Sequence, residues 1–234
     1  MRLSHTAAPL LVLVMAGCAP GNPGLYIGNV IAANDQCEYD SGNAALLQGT
    51  LDVSVPGNVY SAGLVFNNQL LNLAQSGSSG YPVMANPNII QVTSVEVELQ
   101  DIGGAPIALS GGNPFSSPAG AISVPSGDGA TAGTAIGAVI LIPAAYVPDL
   151  PASGTIVAVV RAIGVTLGGA EVVSPEFGFP INLCSGCLVG CAVDADGAPI
   201  CSPSCTPGQD TAHLECVSAT DLTPTITASC RVGG

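Results

Sequence analysis

The chain of 234 residues has no lysine and no tryptophan. It contains only three arginines against 16 aspartates and glutamates. Its formal net charge is −13. So acidic a surface repels phosphate backbones, and we therefore expect no nucleic-acid partner. The absence of lysine excludes a Ser–Lys dyad, a Schiff base and a P-loop. Aromatic residues make up only 4% of the chain, which disfavours a sugar site built on ring stacking.

Candidate catalytic residues are equally scarce. His213 is the only histidine beyond residue 17, and we interpret it as a surface residue. No G-x-S-x-G motif is present. Sixteen acids still allow many carboxylate pairs, so a hydrolase that uses carboxylates or a metal is the alternative function. The preferred prediction is a non-enzymatic protein, for which we assign no catalytic residue, no metal ligand and no cofactor.

The first 17 residues have the features of a secretory signal. Arg2 precedes a short apolar run, Ala7 to Met15, which is too short to span a bilayer. Met15-Ala16-Gly17-Cys18 follows, and it resembles the bacterial lipobox, an aliphatic and two small residues before a cysteine. The resemblance implies cleavage before Cys18 and attachment of lipid to its thiol. An ordinary signal peptide with an incidental cysteine is the alternative.

The residue after the cysteine is Ala19 and not aspartate. In the sorting rule that the resemblance implies, this favours the outer membrane, on either its periplasmic face or the cell surface. Residues 18–24 would form the lipidated cysteine and a short tether. Its six residues after Cys18 reach roughly 20 Å when extended, so we expect the domain to lie close to the lipid surface. The membrane, bound through the lipid, is the only partner we predict; any protein or glycan partner is unknown.

Nine cysteines are an odd number for an exported chain. If Cys18 carries lipid, eight remain to form disulfides in an oxidising compartment. These eight are Cys37, Cys184, Cys187, Cys191, Cys201, Cys205, Cys216 and Cys230. Since Cys37 is the only one of them before Cys184, we predict that it pairs with a cysteine of the last fifty residues. Spacing alone leaves all 105 pairings of eight cysteines open.

Two stretches of the sequence contain parts of metal-binding motifs. Cys184 and Cys187 could form half of a zinc site with Cys201 and Cys205, but the second pair has the wrong spacing and disulfides are favoured. A redox role for the same C-x-x-C lacks a βαβ context. Asp194-Ala195-Asp196-Gly197 begins like a calcium loop. It lacks the later oxygen ligands of an EF-hand, so it predicts a turn.

Strand patterns dominate residues 25–183. Leu51 to Val55 and Val95 to Gln100 alternate between aliphatic and polar residues, which should place the aliphatic side chains on a core and the polar ones in water. Val165 to Val173 contains Gly168-Gly169 between β-branched runs and predicts a hairpin with a two-residue turn. Further β-rich runs are Tyr60 to Leu71, Ala135 to Ile142 and Thr155 to Leu167.

These patterns predict an all-β fold. We expect seven to nine short strands, no helix longer than about two turns, and an antiparallel sandwich of the immunoglobulin or fibronectin kind. A small barrel is the alternative. Residues 184–234 hold seven cysteines and few large aliphatics, and they predict a small tail held by disulfides.

Arg161 is the only cation within the predicted sandwich. It lies in the middle of a strand. A clamp for a ligand carboxylate is one interpretation. We favour an ion pair with a strand acid such as Glu96 or Glu98.

Three stretches carry a wider resemblance: Asn67 to Leu71, Phe177 to Leu188, and Cys205 to Asp210. Together with the lipobox they resemble uncharacterised cysteine-rich outer-membrane lipoproteins of bacteria. The resemblance implies class and location but no activity and no catalytic residue. We therefore expect a lipid-anchored envelope protein that serves as a structural, adhesive or binding module.

Overall fold

The computed structural model describes residues 24–34, 36–55, 57–72, 86–188 and 208–210. Within these residues the protein is all-β, with two sheets and a single short 3-10 helix at Ala144–Asp149. The strands are β1 Leu25–Ile31, β2 Ala45–Leu46, β3 Gly49–Asp52, β4 Tyr60–Asn68, β5 Ile90–Asp101, β6 Phe115–Val124, β7 Gly133–Ile142, β8 Gly154–Thr166, β9 Glu171–Val173 and β10 Phe177–Cys184.

The first sheet has the strand order β2-β1-β4-β7, and the second has β3-β10-β8-β5-β6, with β9 pairing to β8. All pairings are antiparallel except that of β3 with β10, which is parallel. The expectation of seven to nine short strands is therefore wrong in their number and length, and the antiparallel pairing that it includes has one exception among the described strands. Ten strands are described, and β5 and β8 have 12 and 13 residues. A long central strand can form because its aliphatic alternation continues without a proline or a charged core position.

Both sheets contribute side chains to one hydrophobic core. Val95, Val97 and Leu99 are fully buried, and the polar residues between them are half-buried. The alternation predicted for this segment is confirmed. Two of the three fully buried rings of the described residues, Tyr60 and Phe179, come from opposite sheets and lie 6.0 Å apart between centroids.

The strands run between two ends of the fold, which we name by one residue each. The Leu71 end contains Leu71, Gly129 and Leu167, and the Asp52 end contains Asp52 and Ile102. β5 connects them, since Ile90 pairs with Thr166 at the first end and Asp101 pairs with Ile156 at the second.

The predicted hairpin is present, but its turn is longer than expected. The N–H of Gly169 donates to the carbonyl of Thr166, and the N–H of Thr166 donates to the carbonyl of Ala170. Only Gly169 of the glycine pair has a positive φ, 86°. This is the three-residue form, in which one glycine in the left-handed region ends the turn.

The alternation predicted for Leu51 to Val55 is wrong after its first residue. Strand β3 ends at Asp52, and a turn follows in which the N–H and hydroxyl of Ser54 donate to the Asp52 carboxylate at 3.0 and 2.6 Å. Asp52 is completely buried where the pattern predicted exposure to water. Aspartate bonds readily to the backbone two residues further on, and this local bond competes with continued strand.

Candidate functional site

The densest set of buried polar contacts lies at the Asp52 end, along the outer edge of β3. There Gly208–Asp210 pairs with the strand: the N–H of Asp52 donates to Gly208 and the N–H of Asp210 donates to Thr50, at 2.8 and 2.9 Å. An open sheet edge exposes unpaired donors and acceptors. These three residues of the predicted tail therefore complete the edge in the way an added strand would.

Asp210 anchors this pairing through its side chain. The hydroxyl of Tyr60 donates to the Asp210 carboxylate at 2.9 Å, and the N–H of Thr50 donates to it at 2.7 Å. Tyr60 is fully buried, and its hydroxyl occupies the space that a Cβ at position 49 would need. Glycine at position 49 is thus required for Tyr60 to reach Asp210.

Burial raises the pKa of Asp210 above its usual value, and the hydrogen bonds from Thr50, Gln209 and Tyr60 offset this only in part. Burial and the nearby Asp210 carboxylate likewise raise the pKa of Tyr60. Tyr60 is therefore a neutral hydrogen-bond donor at neutral pH.

The side chains of Gln209 and Asn58 also hold Gly208–Asp210 in place through hydrogen bonds. The side-chain amide of Gln209 accepts from the N–H of Ser61 at 2.8 Å and donates to the carbonyl of the same residue. The amide of Asn58 donates to the carbonyls of Asp52 and Gly208, at 2.8 and 3.1 Å. Both amides are almost completely buried. We call Asp52, Asn58, Tyr60, Gln209 and Asp210 the tail junction.

Asp52 connects the junction to the Cys184–Cys187 loop. The N–H of Gly186 donates to one carboxylate oxygen of Asp52 and the N–H of Leu188 to the other, both at 2.9 Å. Burial alone would raise the pKa of Asp52, but bonds from Ser54, Leu188 and Gly186 outweigh it, and the pKa is lower than usual. Asp52 is therefore an ionised acceptor that organises both its own turn and the cysteine loop.

The same region holds a group of three residues with metal-ligand chemistry. Ligand atoms of Asp52, Cys184 and Cys187 lie within 4.8 Å of one another. However, Cys184 and Cys187 form a disulfide with each other, so neither sulfur is a thiolate. The sequence favours disulfides over a zinc half-site here, but it leaves the pairing open. Backbone donors already bind both oxygens of Asp52. This chemistry favours a structural junction over a metal centre.

Comparison with known proteins finds no family model, no curated protein and no solved structure that matches the chain.

Across the described ranges of the chain, no helix has both the length and the apolar character needed to cross a bilayer.

Cys37 is disulfide-bonded, and its partner lies outside the described residues. Since Cys184 and Cys187 pair with each other, six of the eight predicted disulfide cysteines remain, and six allow 15 pairings. A bond from Cys37 to the tail stays a prediction. Other predicted positions also lie outside the described residues: Cys18, Asp194 to Gly197, Cys191, Cys201, Cys205, His213, Cys216 and Cys230.

Arg161 makes the predicted type of contact. Its guanidinium lies 3.7 Å from Glu96, which is directly opposite on β5, and 2.9 Å from Glu176. The preferred ion-pair interpretation is confirmed with Glu96, while Glu176 was not foreseen. All three side chains are substantially exposed, so the contact contributes little to stability.

Sequence reasoning missed the tail junction as a unit. The alternation from Leu51 to Val55 predicts that Asp52 faces water, and no pattern predicts a polar role for Asn58, Tyr60 or Gln209. No motif in the sequence predicts that Gly208-Gln209-Asp210 pairs with a strand. Nothing local connects it to β3, because the contacts join residues about 150 positions apart.

Proposed function

We propose that this chain is a lipid-anchored, non-enzymatic protein of the bacterial cell envelope, acting as a structural, adhesive or binding module at the outer membrane. The observation that carries the proposal is Met15-Ala16-Gly17-Cys18 after a short apolar run headed by Arg2. The cysteine count agrees independently, because lipid on Cys18 leaves an even number for disulfides.

We further propose that the two sheets form a sandwich of the immunoglobulin or fibronectin kind. In such folds one sheet holds strands A, B and E, and the other holds G, F, C and C′. The order β1-β4-β7 corresponds to A-B-E, and β10-β8-β5-β6 corresponds to G-F-C-C′. β3 then corresponds to a second half of strand A that crosses to the other sheet and runs parallel to G. These correspondences support the proposal.

The state of the buried acids supports a non-enzymatic role. A catalytic carboxylate must reach a substrate and exchange a proton or a bond with it. At the tail junction, Asp52 and Asp210 instead accept hydrogen bonds from the chain itself. Their hydrogen bonds join Gly208–Asp210 and the Cys184–Cys187 loop to β3, which is a structural role.

The anchor is tested by expressing wild type and Cys18→Ala in a bacterial host and separating membranes from soluble protein. Wild type should sediment with membranes, and mass spectrometry should find an acylated N-terminal Cys18. Cys18→Ala should be soluble or remain a full-length precursor. Ala16→Gly is the matched control, since it keeps a small residue before the cysteine and should behave as wild type. An unmodified N-terminus at any other position would overturn the proposal.

The membrane assignment has its own test. Ala19→Asp changes only the residue after the lipidated cysteine, and by the sorting rule it should move the protein to the inner membrane in a density gradient. Ala19→Ser should leave it in the outer-membrane fraction. Equal distribution of the two variants would contradict outer-membrane sorting.

A further inference from the structure

The first strand enters the fold at the Leu71 end. Leu25 pairs with Asn68, and the carbonyl of Gly24 accepts a hydrogen bond from the N–H of Gln69 at 2.9 Å. β1 then runs to Ile31, toward the Asp52 end. The chain that precedes residue 24 therefore joins the fold beside Leu71.

Loops from three connections meet at this end. The N–H of Asn72 donates to Gly127, and the N–H of Leu167 donates to Ile89, both at 2.9 Å. Leu71 and Leu167 project from these loops, with 54% and 52% of their surfaces exposed. Two large aliphatic side chains are thus held at the end where the tether joins.

The length of the fold along β5 and the reach of the tether together determine which end of the fold can contact a membrane. β5 has 12 residues and rises about 3.3 Å per residue, so the two ends are about 40 Å apart. Six residues lie between Cys18 and Leu25, and they reach roughly 20 Å at full extension. A chain lipidated at Cys18 cannot stand with its Asp52 end on the bilayer, because its tether is too short by about half.

We propose that the Leu71 end is a lipid-contacting surface, with Leu71 and Leu167 resting in the interfacial layer of a phospholipid bilayer and the Asp52 end facing away from it. This inference rests on the proposed lipidation of Cys18. The contact is apolar and not electrostatic, because a chain of net charge −13 gains nothing from an anionic surface. The Cys184–Cys187 loop, which covers the buried tail junction, would then face the aqueous side, which makes the Asp52 end the surface available to partners.

The absence of tryptophan allows a direct test, since one introduced tryptophan can be excited selectively in the presence of the five tyrosines. Leu71→Trp and Leu167→Trp place it at the proposed contact, and Ile102→Trp is the matched control. Ile102 is an aliphatic residue with 82% of its surface exposed, at the Asp52 end. Each full-length lipidated variant is reconstituted on phosphatidylethanolamine and phosphatidylglycerol vesicles, with or without bromine in the acyl chains.

Brominated lipid should quench tryptophan at positions 71 and 167 and shift its emission to shorter wavelength, while tryptophan at position 102 should be unaffected. Equal quenching at 71 and 102 would show that the domain lies flat, and quenching only at 102 would reverse the orientation; either overturns the inference. Absence of quenching at all three positions also overturns it. Vesicle flotation separates the two proposals. A protein that floats but fails the quenching test refutes only the orientation, whereas an unacylated protein that does not float refutes the lipid anchor as well.

Discussion

Two segments of the chain share an alternating pattern and come to lie in different environments. In β5, the aliphatic residues of Val95 to Gln100 are buried and the polar residues between them remain half-buried on the outer face of the sheet. In β3, both Leu51 and the next residue, Asp52, are completely buried. The difference arises from what covers each strand. The outer face of central β5 meets water, whereas the Cys184–Cys187 loop and Gly208–Asp210 cover the edge strand β3.

The comparison shows that alternation reports which face of a strand meets the core, but not whether the other face stays in water. An aspartate opposite the core is normally solvated. At position 52 it is instead surrounded by donors from two chain segments, the turn at Ser54 and the loop that contains Gly186 and Leu188. A buried carboxylate is stable there because each lost water is replaced by a charge-assisted hydrogen bond.

The largest effect should come from removing the carboxylate of Asp52. Asp52→Ala leaves the N–H groups of Ser54 and Leu188 without their acceptor and removes one of the two acceptors of the Gly186 N–H. We expect a loss of about 3 kcal/mol in the free energy of unfolding. Glu98→Ala, at a half-buried polar position of β5, should change it by less than about 0.5 kcal/mol. Urea denaturation with disulfides intact measures both. Similar losses of stability for the two variants would contradict the conclusion that the carboxylate in β3, unlike that in β5, is held by buried hydrogen bonds.

A smaller loss should follow from Gly208→Ala. Gly208 has a φ of 67°, and a Cβ there would lie 2.7 Å from the amide nitrogen of Asn58. Gly186→Ala is the matched control, because Gly186 has a φ of 74° but no atom near its missing Cβ. Backbone strain alone costs about 1 kcal/mol, and the clash should add at least as much for Gly208→Ala.

Hydrogen exchange shows where in the fold the Gly208→Ala and Gly186→Ala variants lose stability. The amides of Asp52 and Asp210 bond across the β3 edge, so Gly208→Ala should reduce their protection while leaving β5 unchanged. Gly186→Ala should retain most of that protection. If neither variant altered the protection of the Asp52 and Asp210 amides, the pairing of Gly208–Asp210 with the edge of β3 would be contradicted.

Stability should depend on pH through the two junction acids with opposite signs. The pKa of Asp52 lies below its usual 3.8, so its contribution is present above that value and lost as pH falls through the lower folded-state pKa. The pKa of Asp210 lies above its usual 3.8. Its contribution is therefore present below that value and lost as pH rises through the folded-state pKa.

Replacing each aspartate by the neutral asparagine separates the two contributions to the pH dependence of stability. Asp52→Asn should remove the decline on the acid side, and Asp210→Asn should remove the decline that begins as pH rises above the usual aspartate value. Urea denaturation from about pH 2 to about pH 8 covers both limbs. A shift of the same sign for both variants would contradict the assignment.

The smallest effect should come from Arg161. Its ion pairs with Glu96 and Glu176 join exposed side chains, and pairs of this kind contribute about 0.5 kcal/mol or less. Arg161→Gln should therefore leave urea unfolding almost unchanged at physiological salt. A loss as large as that of Asp52→Ala would give Arg161 a role that its exposure does not explain.

Much of the secondary structure followed from the sequence. Tyr60 to Leu71, Ala135 to Ile142 and Thr155 to Leu167 were predicted as strands and overlap β4, β7 and β8 within a few residues. Period-2 alternation and β-branched residues act over a few neighbours, so a local reading detects them. The hairpin at Gly168-Gly169 was found for the same reason, although the number of residues in its turn was not.

The sequence by itself determined the all-β class, the approximate positions of β4, β7 and β8, the preference for a disulfide over a zinc half-site at Cys184 and Cys187, and the ion pair of Arg161 with a strand acid. Only the tertiary structure decided that Asp52 is buried, that Tyr60 bonds to Asp210, and that β3 runs parallel to β10. These contacts join positions 130 or more residues apart. Their formation depends on how the sheets assemble and on which edge remains open, and no local pattern of residues carries that information.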